Sequence, residues 1–395
     1  MAKKTIRDID VEGKKVLVRV DFNVPLDINT GNISDDSRIR AALPTIKYLA
    51  EHRAKVILCS HLGRPDGKVV EELRLAPIGK RLSQLIDLLV ATVRDCIGND
   101  VEKAVDDLKP GGILLLENVR FHPGEEANDP SFAQALAKLA DVYVDDAFGT
   151  AHRAHASTVG IAKYIPAVAG FLMEKELSKL GGILGHPEHP FAALLGGAKV
   201  SDKIGLIQNI LNKVDKLLVG GGMAATFVTA QGYNVGLSLV ESDKIELAHE
   251  LMNTANKNKV SLLLPIDVVV ADNITKEALG QTVEISNIPG NKSIVDIGPR
   301  TIEMFSQQIE PCHTVFWNGP MGVYEIEQFS AGTKAMAALL AGMKATTIVG
   351  GGSTAEIVDE MNLANKMSHV STGGGASLKF LEGNTLPGVA VLQDK

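Results

Sequence analysis

The chain has 395 residues, and single cores rarely keep growing beyond about 250–300 residues, so two domains are expected. Hydrophobic residues make up 45 % and aromatics only 4 %, with aliphatics, alanine and glycine plentiful, which suits parallel sheets buried under helices. The formal net charge of −7 argues against general nucleic-acid binding, which needs a basic face.

From the amino end, Met1-Ala2-Lys3-Lys4-Thr5 carries charge with no apolar stretch behind it, so no signal peptide is expected. Strand Lys15–Val20 runs into Asp21-Phe22-Asn23-Val24-Pro25, and Ser34 to Arg40 opens a helix over Ile39–His52. Strand Lys55–Ser60 runs into His61-Leu62-Gly63-Arg64-Pro65, with a helix over Ile78–Leu89. Strand Ile113–Glu117 runs into Asn118-Val119-Arg120-Phe121-His122 and a helix over Ser131–Ala140. Strand Val142–Asp145 runs into Asp146 and on to Arg153. In a parallel sheet these strand ends converge on one rim, where ligands bind. Arg38, Arg64, Arg120 and Arg153, with His61 beside them, would make a strongly positive pocket in an acidic protein. Planar guanidinium forks at such a place suit a compact, multiply charged anion such as a phosphorylated carboxylic acid. Asp21 and Asn23 are placed to hold a hydroxyl and to orient the arginines. His122, His152 and His155 lie near the same rim and are expected behind the ligand-facing groups or at the surface.

Composition changes near residue 170. Of 12 arginines, 11 lie in residues 1–170, whereas 26 of 38 glycines lie after it. The first half therefore holds the anion forks, and the second holds most positions where backbone can approach a ligand. Strands are expected at Phe191–Leu195, Lys216–Val219, Ser261–Leu264, Thr314–Trp317, Thr346–Val349 and His369–Ser371. Helices are expected between them at Ile204–Val214, Ile245–Asn256, Gly332–Leu340 and Thr354–Met361. This alternation implies doubly wound parallel sheets.

Five strand ends in this half carry glycines: Gly196-Gly197, Gly220 to Gly222, Gly319 with Gly322, Gly350 to Gly352, and Gly373 to Gly375. A glycine loop opening a helix offers unpaired N–H groups to phosphate, and the Gly350 and Gly373 loops fit this best. Neither the P-loop pattern nor the dinucleotide fingerprint is present. Lys199 and Lys203 would share a face if their segment starts a helix. Trp317 reads as core, with Asn318 and Glu325 placed to meet a ribose or a phosphate. Asp202 and Asp267 read as ordinary helix-start or strand-end residues. Cys59, Cys96 and Cys312 have neither metal nor disulfide spacing and read as buried thiols in a reducing compartment. The longest apolar runs, Gly112–Leu116 and Leu262–Val270, are too short to span a bilayer.

Taken together, the segments Arg19 to Pro25, His61 to Pro65, Glu117 to Phe121, Asp146 to Arg153, Gly196 to Lys203, Trp317 to Glu325 and His369 to Ser377 resemble the phosphoglycerate kinase family. The resemblance runs along nearly the whole chain. It implies an α/β fold of two Rossmann-like domains with doubly wound parallel sheets joined by a hinge helix. Residues 1–170 would bind phosphoglycerate, with the tail 380–395 packing back on them. Residues 171–379 would bind the nucleotide and include the hinge helix, which would begin near Gly170. The implied reaction is 1,3-bisphosphoglycerate + ADP = 3-phosphoglycerate + ATP, by a phosphotransferase with a carboxyl group as acceptor.

By motif position, the resemblance assigns Asp21, Asn23, Arg38, His61, Arg64, Arg120 and Arg153 to the phosphoglycerate, with Arg38 toward the reacting acyl phosphate. Lys199 follows the transferring phosphoryl group. The amides of Gly351 and Gly374 stabilise that group. Lys203, Asn318, Glu325, Gly351, Gly352, Ser353 and Thr354 take the nucleotide. Charge develops on phosphoryl oxygens and a carboxylate is already a nucleophile, so positioning and neutralisation suffice and the domains are expected to close against water. Mg²⁺ is expected as Mg-ADP or Mg-ATP. The family usually has Asp where this chain has Ser353, so no protein metal ligand is named; Asp145 stands where Asn is common. A monomeric, cytoplasmic enzyme acting on small molecules is implied, with no nucleic-acid or membrane partner. Two other functions compete on the residues alone. A dinucleotide-dependent dehydrogenase would share the glycine-rich α/β pattern, and a non-catalytic nucleotide-binding protein would accommodate Ser353.

Overall fold

The computed structural model describes residues 2–27 and 30–395. The chain divides into two compact units. One comprises the residues up to Ser178 together with Thr385–Lys395, and the other is Lys179–Asn384. The helix Phe171–Gly185 contains the division.

The first unit is built on six strands: β1 (Lys15–Arg19), β2 (Lys55–Cys59), β3 (Val90–Thr92), β4 (Ile113–Leu115), β5 (Val142–Asp145) and β6 (Ala167–Ala169). They lie in the order β3-β4-β2-β1-β5-β6, and every pairing is parallel. The apolar run Val16-Leu17-Val18 is buried throughout, as expected where helices cover both faces. Helices supply those covers through their own periodicity. In Ala76–Ile86 the buried positions Ile78, Leu82 and Ile86 recur every fourth residue, and Asp87 in the left-handed region ends the helix. The carboxyl-terminal segment belongs to this unit. Leu386 and Leu392 are buried, and Gln393 donates to the Ala167 carbonyl on the edge strand β6 at 3.0 Å.

The second unit holds β7 (Phe191–Leu195), β8 (Lys216–Val219), β9 (Ser261–Leu263), β10 (Asp267–Ala271), β11 (Gln281–Glu284), β12 (Ser293–Ile297), β13 (Thr314–Asn318), β14 (Thr346–Gly350) and β15 (His369–Val370). Six of them form a parallel sheet in the order β15-β14-β13-β7-β8-β9. The core between sheet and helices gathers Trp317, Phe305, Met336 and Leu340.

The two parallel sheets match the fold class expected from the alternation of strands and helices. Three features were not legible in that alternation. The short strands β3 and β6 sit at sheet edges, and β10 pairs antiparallel with β11 and β12 in a separate three-stranded sheet. Residues of β11 are mostly exposed, so no burial pattern marks it in the sequence.

Asp296 ties that small sheet to the helix Ala331–Gly342. It is buried and accepts hydrogen bonds from the amides of Ile297 (2.9 Å) and Gly332 (2.8 Å), the latter in the first turn of the helix Ala331–Gly342. Burial outweighs these bonds and pushes its carboxyl up to about 7. Between about pH 4 and pH 7 the unfolded carboxyl has lost its proton while the folded one retains it. Its contribution to stability therefore falls as pH rises through that window. Denaturant unfolding of wild type and Asp296→Asn across pH 4–8 should show wild type losing stability relative to the variant on that rise. Parallel curves would refute the assignment.

Candidate functional site

The parallel register sets the strand ends of the first unit level: Arg19 faces Cys59 on one side and Asp145 on the other, and Leu58 faces Leu115. The loops leaving this rim carry the cationic side chains. Arg38 lies in the first turn of the helix Ser37–Glu51, Arg120 in the single turn Val119–Phe121, and Arg153 just after the turn Phe148–Thr150.

His61 shows that these groups come together. Its ring is buried, and its basicity is driven well below the usual imidazole range. Burial is the largest cause, followed by the charges of Arg19, Arg120, Arg153 and Arg38. Nη2 of Arg19 lies 3.1 Å from His61 Nδ1. A guanidinium only donates, so Nδ1 accepts, the ring is neutral and its proton sits on Nε2.

Hydrogen bonds fix the loops around this group. Arg38 donates to the Asp21 carboxylate. Asn23 Oδ1 accepts the Gly63 amide at 2.8 Å, and the Gly63 carbonyl accepts from Arg120 Nη1 at 2.8 Å. Arg120 also pairs with Glu126 at 3.1 Å. Asp21, Asn23, Arg38, His61, Arg120 and Arg153 thus belong to one cluster. Arg64 does not join it: the side chain is exposed, and no hydrogen bond or ion pair holds it among the described residues.

Several residues the sequence reading did not single out hold this rim. Arg19 is 1 % exposed. Its Nε donates to Ser157 Oγ at 2.9 Å, and Nη1 donates to the Val20 carbonyl. Ser157 Oγ in turn donates to the fully buried Glu125 at 2.6 Å. Burial raises the Glu125 carboxyl, and Arg19 opposes that rise. Asn118 staples two loops, accepting from the amides of Leu62 and Arg120 and donating to the carbonyls of Leu62 and Leu73. The one local signal for Arg19 was an arginine inside an otherwise apolar strand. Asp145 beside it is fully buried, and desolvation pushes its carboxyl to about 7.

In the second unit, register places Asn318 opposite Gly350 on β14 and Leu195 on β7. Lys203 is buried and donates to Asn318 Oδ1. Desolvation pushes its ammonium down to about 8. Asn318 Nδ2 is buried without a hydrogen-bond partner. A Cβ built on Gly351, where φ is 91°, would stand 3.1 Å from that nitrogen. Thr354 Oγ1 accepts the Gly319 amide at 2.7 Å. Lys203, Asn318, Gly351 and Thr354 are therefore neighbours, and an acceptor is missing beside Asn318. Gly352 and Ser353 lie in the exposed first turn of the helix Gly352–Glu360. Glu325 is exposed and lines a cavity of about 510 Å³ with Lys276, Tyr324, Gln328 and Glu356. Gly374, with φ 50°, precedes the helix Gly375–Leu381.

Lys199 and Lys203 do not share a helix face. Lys199 is exposed in the loop after β7, and the turn Ser201–Lys203 begins beyond it. That loop is tied down by backbone bonds instead: Gly197 N–H donates to the Pro320 carbonyl at 2.9 Å, and the Gly197 carbonyl accepts from Met223 at 2.9 Å. The five glycine runs also divide. A Cβ at Gly196, Gly319 or Gly221 would come 2.1, 2.3 or 2.6 Å from neighbouring backbone, so these glycines let loops pack on one another. Gly352 and Gly374 face open space.

Comparison with known proteins decides among the functions such a pair of sites could serve. The family model described as phosphoglycerate kinase matches residues 6–384. The chain belongs to the phosphoglycerate kinase family. Among curated relatives, a phosphoglycerate kinase of Moorella thermoacetica is 56 % identical over 395 residues, and one of Chloroflexus aggregans is 58 % identical over 399, each pair covering 100 % of both chains. Among solved structures, phosphoglycerate kinase from Coxiella burnetii superposes with a TM-score of 0.89 at 43 % identity. That from Pyrococcus horikoshii superposes at 0.87 and 32 %, and both matches cover 98 % of each chain. Family membership sets aside the dehydrogenase alternative.

The Arg19–His61 contact is open to direct measurement. Across pH 5.5–8 the His61 ring should show no protonation step by NMR. Arg19→Gln should move that step upward toward the ordinary range. An unmoved step would mean that burial and the other three guanidiniums keep the ring neutral without Arg19.

Proposed function

We propose that this chain catalyses the reversible transfer 1,3-bisphosphoglycerate + ADP = 3-phosphoglycerate + ATP, with the phosphoglycerate held at the rim of the first sheet and the nucleotide at the rim of the second. The observation that carries this reading is the neutral His61 ring under the charges of four guanidiniums, in a chain of this family. Asp21, Glu125 and Glu126 counter part of that charge, and a compact polyanion at the rim would balance what is left. Asp21, Asn23, His61, Arg64, Arg120 and Arg153 bind the phosphoglycerate, and Arg38 faces the reacting acyl phosphate. His61 Nε2–H is a neutral donor to an anion oxygen. Exposed Arg64 is left to pair with the ligand itself.

On the other rim, Lys203, Asn318, Glu325, Gly352, Ser353 and Thr354 hold the nucleotide. Asn318 Nδ2, buried without a partner, supports this by offering a donor where a phosphate or ribose oxygen would sit. Lys199, exposed and unconstrained by a helix, follows the transferring phosphoryl group, and the amides of Gly351 and Gly374 stabilise it. A carboxylate attacks or leaves, so no general base takes part.

Mg²⁺ accompanies the nucleotide and neutralises charge on its phosphates. The residues present fit an ion held mainly by nucleotide oxygens and water. Ser353 offers only a hydroxyl, which also engages Tyr324, and Tyr324 donates to Glu356 at 3.2 Å. The enzyme acts as a monomer in the cytoplasm on small-molecule substrates. Its three free, buried cysteines suit a reducing compartment. No helix among the described residues is long and apolar enough to cross a membrane.

The test is a coupled assay with 3-phosphoglycerate, ATP and Mg²⁺, in which glyceraldehyde-3-phosphate dehydrogenase drains the product and NADH loss is followed. NADH loss requiring both substrates and this protein is the expected result. Its absence with folded protein would overturn the proposal. Arg38→Ala should lower turnover by about 100-fold, as removal of one transition-state donor does, with less effect on ADP affinity. Unchanged turnover would take Arg38 out of the chemistry.

Lys203 generates a pH prediction. Its ammonium is lost in the free protein as pH rises through about 8. ADP affinity should therefore weaken above that point, by up to about tenfold per pH unit, while Lys203→Met binds weakly at every pH. Calorimetry at pH 7 to 9.5 distinguishes the two; a flat wild-type profile would remove Lys203 from nucleotide binding.

A further inference from the structure

A second cluster of chemical groups lies on the first unit, apart from the residues assigned to either substrate. The loop between β3 and the helix Asn99–Asp107 carries Asp95 and Cys96, and the turn after β4 ends at His122. One donor atom from each lies within 4.8 Å of the other two. The loop brings them there by backbone pairing, since Glu117 N–H donates to the Asp95 carbonyl at 3.2 Å.

The three side chains are held from different directions. Asp95 Oδ1 accepts the Cys96 amide at 2.7 Å and lies 2.7 Å from His122 Nε2. The His122 ring stacks on Phe132, with centroids 5.0 Å apart and planes 24° from parallel. Cys96 is fully buried, and no hydrogen bond reaches its Sγ among the described residues. Cys312, by contrast, donates its thiol to the Gln308 carbonyl. The unpartnered Cys96 sulfur therefore forms a floor beneath one carboxylate and one imidazole that are open to solvent.

We propose that Asp95, Cys96 and His122 form a three-ligand site for a borderline-soft divalent ion of the Zn²⁺ class. One sulfur, one imidazole nitrogen and one carboxylate oxygen are the donor types that Zn²⁺ takes, and three of them leave a fourth position for water. Bond lengths of 2.0–2.3 Å in a tetrahedron place donors about 3.5 Å apart, so the Asp95–His122 pair, now 2.7 Å apart, would open by about 0.8 Å and a separation of up to 4.8 Å would close by about 1.3 Å. On binding, a metal–sulfur bond forms and the thiol proton passes to solvent, while the proton that His122 Nε2 shares with Asp95 leaves that nitrogen for Nδ1 or solvent to free it for the metal; no oxidation state changes. Hard ions such as Mg²⁺ disfavour a sulfur donor, which separates this site from the nucleotide's counter-ion. The bound ion would tie the loop after β3 to the turn that carries Arg120.

The test uses the full, reduced, untagged chain with Co²⁺ as probe. A thiolate-to-cobalt charge-transfer band in the near ultraviolet should rise to one equivalent and disappear when Zn²⁺ is added. Cys96→Ser should abolish the band, and His122→Ala, a change at a partly exposed side chain, should weaken Zn²⁺ binding at least tenfold in competition with a chromophoric chelator. Cys312→Ser should change neither. The proposal is overturned if wild type gives no band, if the band survives Cys96→Ser or vanishes in Cys312→Ser, or if His122→Ala binds Zn²⁺ as wild type does. Should Cys96→Ser fail to fold, the His122→Ala affinity decides alone.

Discussion

Arg19 is a full positive charge with almost no contact with water, and the rim of the first sheet is arranged around keeping it satisfied. A buried guanidinium is tolerated only where its donors find partners and a counter-charge lies close. Here Ser157, the Val20 carbonyl and His61 supply the partners, and Glu125 supplies the counter-charge through Ser157. Ser157, His61 and Glu125 come from three separate segments, so satisfying one side chain ties three pieces of chain to the end of β1. His61 pays for its place by losing its own basicity, and in return presents a fixed tautomer toward the ligand side. Truncating Arg19 would leave the buried Glu125 with only Ser157 and the charge of Arg120 to compensate it, which is why its effect should reach beyond its nearest contacts.

The second rim uses backbone rather than charge. Gly196, Gly221 and Gly319 allow three strand-end loops to pack with backbone against backbone, where a methyl group would collide. That packing holds Asn318 and Lys203 in place and leaves the helix starts at Gly352 and Gly374 open. Lys203 and Asn318 satisfy one another only in part, since Asn318 Nδ2 stays without an acceptor. An unpaired buried donor beside a cation with depressed basicity is an arrangement that an anionic ligand would relax.

Buried carboxylates recur where elements must be joined. Asp146 accepts from the amides of Leu172 and Met173 at the start of the helix Phe171–Gly185, Asp267 from those of Arg300 and Thr301, and Asp296 from that of Gly332. Each satisfies orphan helix-start donors from a distant strand end. Burial raises Asp146 to about 6, so this capping is coupled to pH around neutrality.

Much of this protein was legible in the chain itself. Apolar strand runs such as Val16–Val18 and Phe191–Leu195 carry their own burial signal, and their alternation with helical periodicity specifies parallel sheets. Because ligands collect at the carboxyl ends of such strands, the sequence alone puts Arg38, His61, Arg120 and Arg153 on one rim. Tertiary structure decided the rest. Edge strands of three residues and the largely exposed β11 have no local pattern to distinguish them from loops. Whether an arginine is left exposed or reaches a buried serine depends on neighbours more than a hundred residues away, which separates Arg64 from Arg19. The same holds for the glycines: spacing marks them as turns, but only packing shows which accommodate another backbone and which stay open. Asp95, Cys96 and His122 meet through the pairing of two loops, a proximity that no spacing in the sequence records.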